Sequence, residues 1–326
     1  SLKSKKWAED RYRQEYLGIE NDNFVPPPQD NNLQPDFTLT NAQNFFLNEL
    51  AKKQEPFQSF HDEIKDTHLG SKNEFDEKYK VRNTRIAFRS EGHRYVIDNN
   101  YDVTSVSQLI DEFFPEFDAD IAIAKMRNGN KWAPGHKYWG LDDDEIKRKW
   151  KEKGEKSARD GTELHKLIEM YYQKHSCDSS EKEFEHFLSF TEDHPTLEPI
   201  MTEWRIFDEE HLIAGTVDMI YKNENGTYAM YDWKRSKNVI DETNGQAITN
   251  NRWGTGFGEL NDIDDTSFNK YCLQLNMYRH ILETRYDLEI SSMNILVLHP
   301  KYDKYYAFEV SNMQGKVDYI LNSHKN

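Results

Sequence analysis

No part of this 326-residue chain constrains its fold more than Ala214 to Lys237, AGTVDMIYKNENGTYAMYDWKRSK. Ile213 to Tyr221 is rich in β-formers, Asn223 to Gly226 supplies turn chemistry, and Thr227 to Trp233 resumes the strand, so the segment predicts a β-hairpin. Side chains alternate faces along a strand. Asp232 and Lys234 therefore emerge on one side and Trp233 on the other, with Asp218 on the neighbouring strand. Two carboxylates and a lysine so placed can hold a divalent metal against a phosphodiester, although Asp-x-Lys alone is more often the texture of a solvated strand.

Around this hairpin the pattern predicts an α/β domain. Residues 1–82 read as a polar N-terminal extension, with a Pro-rich linker at Val25 to Asn32 and its better helix at Thr40 to Lys53. Residues 83–326 form the main domain. Short strands near IAFRS and HRYVID lead into a helix after Ser105, where Ser105 and Gln108 offer a capping box. Asp142 to Lys174 and Glu181 to Thr191 are helical in pattern, and Met201 to Phe207 is a strand. Residues 238–268 are Asn-, Gly- and Asp-rich and read as a long, functional surface loop. Phe268 to Tyr286 is a helix, Met293 to His299 a buried strand, Tyr305 to Val310 another strand and the tail a helix. The core order is α, β, β, β, α, β.

Composition excludes several classes. No apolar run approaches the roughly 18 residues that span a bilayer, and SLKSKKWAED lacks the apolar core of a signal peptide, so the expectation is an intracellular protein without a membrane partner. Cys177 and Cys272 are too few for a disulfide framework, a four-cysteine zinc site or an iron–sulfur cluster. The net charge of −16 argues against a general nucleic-acid coat. It leaves room for a nuclease, because a metal site needs carboxylates and a locally basic groove is enough to hold a phosphate backbone. Lys147 to Arg159 carries seven basic residues against two acidic ones, and reads equally as a solvated helix face or as a backbone contact.

The hairpin gains weight from the motifs around it. Gly161 to His165 is GTELH on a helix, Gly215 to Asp218 is GTVD, Asp232 to Lys234 is DWK and Gln274 to Tyr278 is QLNMY. In these residues and their order the chain resembles the PD-(D/E)XK nuclease superfamily, specifically its RecB-type branch. That branch includes CRISPR-associated exonucleases, the mitochondrial genome maintenance exonuclease and large-DNA-virus members. The resemblance covers roughly residues 85–299 and implies a restriction-endonuclease-like core with Mg²⁺ or Mn²⁺ as cofactor. It also implies a DNA-cleaving activity that leans towards exonuclease action on single-stranded or free ends, with an endonuclease of the same fold as the alternative.

Residue by residue, the resemblance implies that His165, Asp218 and Asp232 ligate the metal and that Trp233 offers its backbone carbonyl. Lys234 becomes the catalytic lysine. Gln274 and Tyr278 contact the DNA strand or steady that lysine. Glu203, in TEW, matches the acidic position before G-x-x-D and assists catalysis from behind the ligands. Glu169 is either on an exposed helix face or in support of the site. Arg235 and Lys237, beside the end of the DWK strand, are expected to contact phosphate, and His299 before Pro300 is expected to be structural.

The chain departs from several relatives in lacking the four cysteines of their iron–sulfur cluster, and no helicase motif is present. DNA is the expected partner, with replication, repair or recombination proteins as further partners and the eukaryotic-virus versions as the nearest texture. Trp132, Tyr138 and Trp139 near Lys131 and Lys137 read as core packing or a loop anchor in preference to a base-stacking surface. A non-catalytic nucleic-acid-binding module and an acidic assembly protein stand as competing classes.

Overall fold

The computed structural model describes residues 74–325, apart from 90, 91, 93, 176, 178, 252 and 253. The expected Pro-rich linker and the Thr40 to Lys53 helix lie outside the described residues. The elements that build the site are α1 (Glu74–Asn83), β3 (Thr104–Ser105), α4 (Asp143–Tyr172), α5 (Lys182–Asp193), β4 (Glu198–Asp208), β5 (Ile213–Lys222), β6 (Tyr228–Lys234), α6 (Ser267–Arg285), β9 (Ile290–Val297), β10 (Tyr306–Glu309) and α7 (Gln314–His324). Between them lie the β1–β2 hairpin (Ile86–Arg89, Arg94–Ile97), α2 (Val106–Asp111), α3 (Ala119–Asn128) and the β7–β8 hairpin (Ile240–Asp241, Gln246–Ala247).

The chain is an α/β protein with a mixed six-stranded sheet flanked by helices. Strand order is β10-β9-β6-β5-β3, with β4 paired along β5; β6/β9 and β3/β5 are parallel and the other pairs antiparallel. Period-2 alternation divides the sheet's side chains between two cores. Ile220, Met230, Ile295 and Val297 face the larger one, shared with α6 and α7. Met219, Tyr221, Trp233 and Leu296 face the second, shared with α4 and α5. The expected opposition of Trp233 to its neighbours in DWK follows directly from this.

Helix starts conform to the local sequence. Ser105 and Gln108 make the expected capping box on α2, and Asp142 with Glu145 makes another on the 30-residue α4. Thr266 caps α6 by accepting from the Asn269 N–H at 3.1 Å. Packed against the sheet, α7 and α2, α6 is buried on nearly every side. Its fully buried Asn276 is nevertheless satisfied. The Asn276 amide donates to the Cys272 and Ser311 carbonyls at 2.9 and 3.0 Å and accepts the Met313 N–H at 2.7 Å, tying α6 to the start of α7.

Two boundaries differ from the sequence reading. Helix α1 begins before residue 83 and belongs to the folded body, because Phe75 packs edge-on to Trp204 and Tyr79 packs tilted against Trp204 and Tyr286 in the larger core. The 238–268 segment is not a free surface loop: Val239, Ile240, Leu260 and Ile263 insert into the same core, and the Asn269 amide donates to the Thr249 and Asp264 carbonyls at 2.8 Å. Isolated apolar residues spaced through a polar stretch carry no period, so the pattern hid these anchors.

Arg82 fastens α1 to the β4–β5 turn. Its guanidinium lies over the Phe207 and Tyr286 rings at 4.2 and 4.5 Å, donates to the Phe207 carbonyl at 2.8 Å, and forks onto Glu209 at 3.1 and 2.6 Å. Hydrogen bonding from Arg82 outweighs burial and holds the Glu209 carboxyl down at about 2. A depressed carboxyl contributes stability that is complete above its unfolded value of about 4.3 and is lost as pH falls towards 2. Glu209 is 38% exposed, so screening limits the contribution to about 1 kcal/mol. Urea unfolding of Glu209→Gln should therefore show a deficit of about that size at pH 7 that shrinks by pH 3; an undiminished deficit would mean that the pair's charge is not its source.

Candidate metal centre

The site lies at a break in the sheet. Strand β4 occupies one edge of β5 along its length, from Glu198↔Lys222 to Asp208↔Ile213. The other edge is shared: β3 takes Ile213 and Ala214, and β6 takes Met219 to Lys222. Gly215 to Asp218, the GTVD motif, therefore faces no strand on that edge. Were the β5–β6 ladder continued past Met219↔Tyr231, Asp218 would lie opposite Asp232. Instead the strands part, and the Trp233 N–H donates to Asp218 Oδ2 at 2.7 Å. The carboxylate occupies the place of a ladder partner.

Through this gap residues from both helix layers meet. From α4, His165 directs Nε2 at the Trp233 carbonyl (3.1 Å) and Nδ1 at Glu203 Oε1 (3.0 Å), with Asp218 Oδ1 at 3.7 Å. Both ring nitrogens thus face acceptors. Burial opposes charging the imidazole, but the Asp218 charge and the hydrogen bond to Glu203 prevail and hold its pKa well above the ordinary value. The Asp218 carboxyl is itself pushed upward, first by burial and then by Asp232 and Glu203 against the opposing His165 charge. Glu169, one turn from His165 on α4, is buried and raised to about 7, chiefly by desolvation and next by Glu203.

From the opposite layer, α6 supports the lysine. Lys234 Nζ donates to Gln274 Oε1 at 3.1 Å, lies 4.5 Å over the Tyr271 ring, and stands 2.8 Å from Asp232 Oδ2. That ammonium is off the line of a good hydrogen bond to Oδ2, which is buried without an aligned donor. Gln274 is fixed in turn by donating to the Tyr278 hydroxyl at 2.8 Å. The Tyr278 ring lies against Gly215, where any Cβ would stand 2.4 Å from Tyr278 Cε1. Gly215, Tyr278, Gln274 and Lys234 are thus one mechanical chain running from the gap to the ammonium.

The donor set suits a hard divalent cation. His165, Glu203 and Asp218 bring ligand atoms within 4.8 Å of one another, and Asp232 Oδ2, paired with the Lys234 ammonium at 2.8 Å, lies buried beside them. Four buried or half-buried carboxylates, Glu169, Glu203, Asp218 and Asp232, stand against the cations Lys234 and His165. Glu203 is placed against His165 Nδ1, the position of a carboxylate that orients a histidine from behind. Two sequence expectations change in detail. Gln274 and Tyr278 are buried, so of their two expected roles they take the steadying of the lysine and not the strand contact. Arg235 is not offered to phosphate: it is bound by Glu183 at 2.7 Å and Asp160 at 3.2 Å, bridging α5 and α4.

Lys237 is half-buried and anchors Tyr302, whose hydroxyl donates to its carbonyl at 2.7 Å; His299 is half-buried against Tyr302. Tyr271 was not anticipated, although its place three residues before Gln274 on one helix puts it on the same face. Nor was the local backbone at Glu203, whose φ of +48° is uncommon for a residue with a side chain. The αL conformation costs roughly 1–2 kcal/mol. It interrupts β4 at the point opposite Asp218, while the Thr202 hydroxyl donates to the Asp218 carbonyl at 3.1 Å. Strain concentrated beside a carboxylate cluster is a feature of working sites.

The Gly215–Tyr278 contact can be tested directly. Gly215→Ala should lose about 1–3 kcal/mol through overpacking against an immobile ring. Much of that loss should disappear in the Tyr278→Ala background, so chemical denaturation of the double-mutant cycle should be non-additive. Additive effects would separate Gly215 from the ring.

No protein-family model and no curated protein sequence matches the chain. Among solved structures, that of SSO0001 aligns with 52% of this chain and 69% of its own at 14% identity, with a TM-score of 0.24.

Proposed function

We propose that this cleft is the active site of a divalent-metal-dependent nuclease of the RecB-type PD-(D/E)XK branch, hydrolysing DNA phosphodiester bonds, with exonuclease action on single-stranded or free ends preferred. The observation that carries the reading is Lys234, held by Gln274 and Tyr271 beside Asp232 at a strand gap that also gathers Asp218, Glu203 and His165. A mixed sheet with a helix layer on each face supports a restriction-endonuclease-like core.

Asp218, Asp232, Glu203, His165 and the Trp233 carbonyl would hold Mg²⁺ or Mn²⁺. The bound ion supplies Lewis-acid activation of water and offsets charge on the phosphate. Lys234 presents an ammonium whose direction is fixed by α6, so it can orient the attacking water or meet the charge that develops on the phosphoryl oxygens. Gln274 keeps that ammonium from collapsing fully onto Asp232. Glu203 holds the His165 ring in register with the Trp233 carbonyl. Trp233 anchors the strand end by packing between Phe187 and Phe190.

The full chain, incubated with Mg²⁺ or Mn²⁺, should cleave DNA, and Asp232→Asn or Lys234→Met should lower the rate by at least about 100-fold, as loss of a transition-state contact does. Covalently closed circles should resist while linear strands are degraded; degradation of closed circles would overturn the exonuclease preference. Mn²⁺ at about 100 times its dissociation constant should add about 2.7 kcal/mol to the wild-type chain and not to an Asp218→Asn, Asp232→Asn variant. Binding of DNA without cleavage by either metal would replace the enzyme with a binding module. Absence of binding, cleavage and metal stabilisation would leave an assembly protein.

A further inference from the structure

The connection between α3 and α4 carries a second candidate surface, distant from the carboxylates. From Ile121 to Leu141, between Asp120 and Asp142, the chain has no acidic residue and four Lys or Arg, of which Lys131 and Lys137 are exposed, Arg127 is paired with Asp143 and the Lys125 Nζ is buried. Within that stretch the aromatic residues divide. Tyr138 is buried, edge-on to Trp150 of α4 with ring centroids 6.1 Å apart. Trp132 is half-buried on the same small core, with the Arg127 guanidinium 5.5 Å from its ring centre. Trp139 lies outside that core, 45% exposed, tilted against Trp132 at 5.5 Å.

Core packing therefore accounts for Tyr138 and half of Trp132. It does not account for Trp139, which stays 45% exposed beside the Trp132 ring. The surface is also built rather than loose. Successive turns close through Trp132 N–H to the Gly129 carbonyl (3.0 Å), His136 N–H to the Ala133 carbonyl (2.9 Å) and Trp139 N–H to the His136 carbonyl (2.9 Å). Arg127 clamps the far end by donating to the Leu141 carbonyl at 3.0 Å and pairing with Asp143.

Its position connects it to the cleft. Trp150, beneath the patch, and His165, in the cleft, are both on α4, and 15 residues of helix place them about 22 Å apart along the axis. At about 100° per residue they also lie within about 60° of one another around that axis. Between them is Gly161, one turn before His165, where an added Cβ would meet nothing within 4 Å. A mid-helix glycine costs about 0.5–1 kcal/mol, and no packing in the structure requires this one. The helix is buried at Gly154, one turn after Trp150, and has open space at Gly161 beside His165.

We propose that Trp132 and Trp139 form a base-stacking platform for single-stranded nucleic acid, engaging bases a few nucleotides from the bond held at the carboxylate cleft. The proposal rests on the nuclease reading of that cleft. Stackable rings among basic side chains are the chemistry by which proteins hold single strands without sequence preference, whereas duplex DNA keeps its base faces covered. Exposed Lys131 and Lys137 would neutralise the backbone beside the stacked bases.

The test uses the full chain with Asp232→Asn to prevent cleavage, and labelled oligodeoxythymidylate read by fluorescence anisotropy. Trp139→Ala should weaken binding about tenfold, within the range that stacking of one base provides, while Trp139→Phe should retain most of the affinity. An abasic oligonucleotide of the same length should bind the Trp139-containing protein about tenfold more weakly and be indifferent to Trp139→Ala. That arm does not depend on the folding of a Trp139 variant. Equal affinity for based and abasic strands, or unchanged affinity in Trp139→Ala, overturns the platform while leaving the nuclease reading intact. No binding of any nucleic acid overturns both.

Discussion

The edge of β5 governs the molecule's chemistry. A strand inside a sheet normally spends its N–H and C=O groups on two neighbours, and an unpaired stretch in the interior is costly. Here β3 and β6 meet that need only at the two ends of β5, and the GTVD segment between them must be completed by side chains. Asp218 reaches across to the Trp233 N–H and the Tyr278 ring fills the space over Gly215, while on the β4 edge the Thr202 hydroxyl donates to the Asp218 carbonyl. The repairs that stabilise the gap also build the centre. A carboxylate serving as a structural acceptor with one oxygen keeps its other oxygen directed at His165.

The same compactness creates an electrostatic debt. Glu169, Glu203, Asp218 and Asp232 are all withdrawn from water within one region, and ionised carboxylates in such surroundings are strongly disfavoured unless compensated. The upward displacement of the Asp218 and Glu169 carboxyls expresses that cost, and the raised His165 value expresses the compensation. A single lysine cannot neutralise the cluster, because Lys234 is held on the Asp232 side by Gln274 and Tyr271. His165, Glu203 and Asp218 are the group whose ligand atoms lie close enough together to hold a cation. Its cost in the absence of one is part of what makes such a site selective for charge.

Much of this was legible in the sequence, for definite reasons. The hairpin, the capping boxes and α6 follow from local chemistry, and the alternation Asp232, Trp233, Lys234 is a consequence of strand geometry alone. What was hidden depends on partners distant in the chain. Arg235 beside DWK resembles a phosphate contact until Glu183 and Asp160 arrive from two helices to occupy it. The supporting role expected of Glu203 came from the resemblance of TEW alone, and its positive φ at the residue that meets His165 carries no sequence signal. Gly215 could be recognised as part of a motif, but its physical reason is a ring contributed more than sixty positions later. The anchors of the 238–268 segment, Val239, Ile240, Leu260 and Ile263, are too sparse to produce a period.

The acidic balance of the chain bears differently on the two ends of α4. At about 0.1 M salt, fields from exposed charges decay over about 10 Å, so a polyanion responds to the side chains near its path more than to the total of −16. Near His165 four carboxylates, Glu169, Glu203, Asp218 and Asp232, gather with His165 and Lys234. Near Trp139 the chain runs from Ile121 to Leu141 without an acid, and the first turn of α4 that follows carries Asp143, Asp144 and Glu145, of which Asp143 pairs with Arg127. One rigid helix fixes the separation between these two environments, because Trp150 is packed under Tyr138 at one end and His165 is gripped by Glu203 and the Trp233 carbonyl at the other. A chain too acidic to coat nucleic acid can still hold a single strand in a defined register, provided that neutral stacking supplies the grip that overall charge withholds.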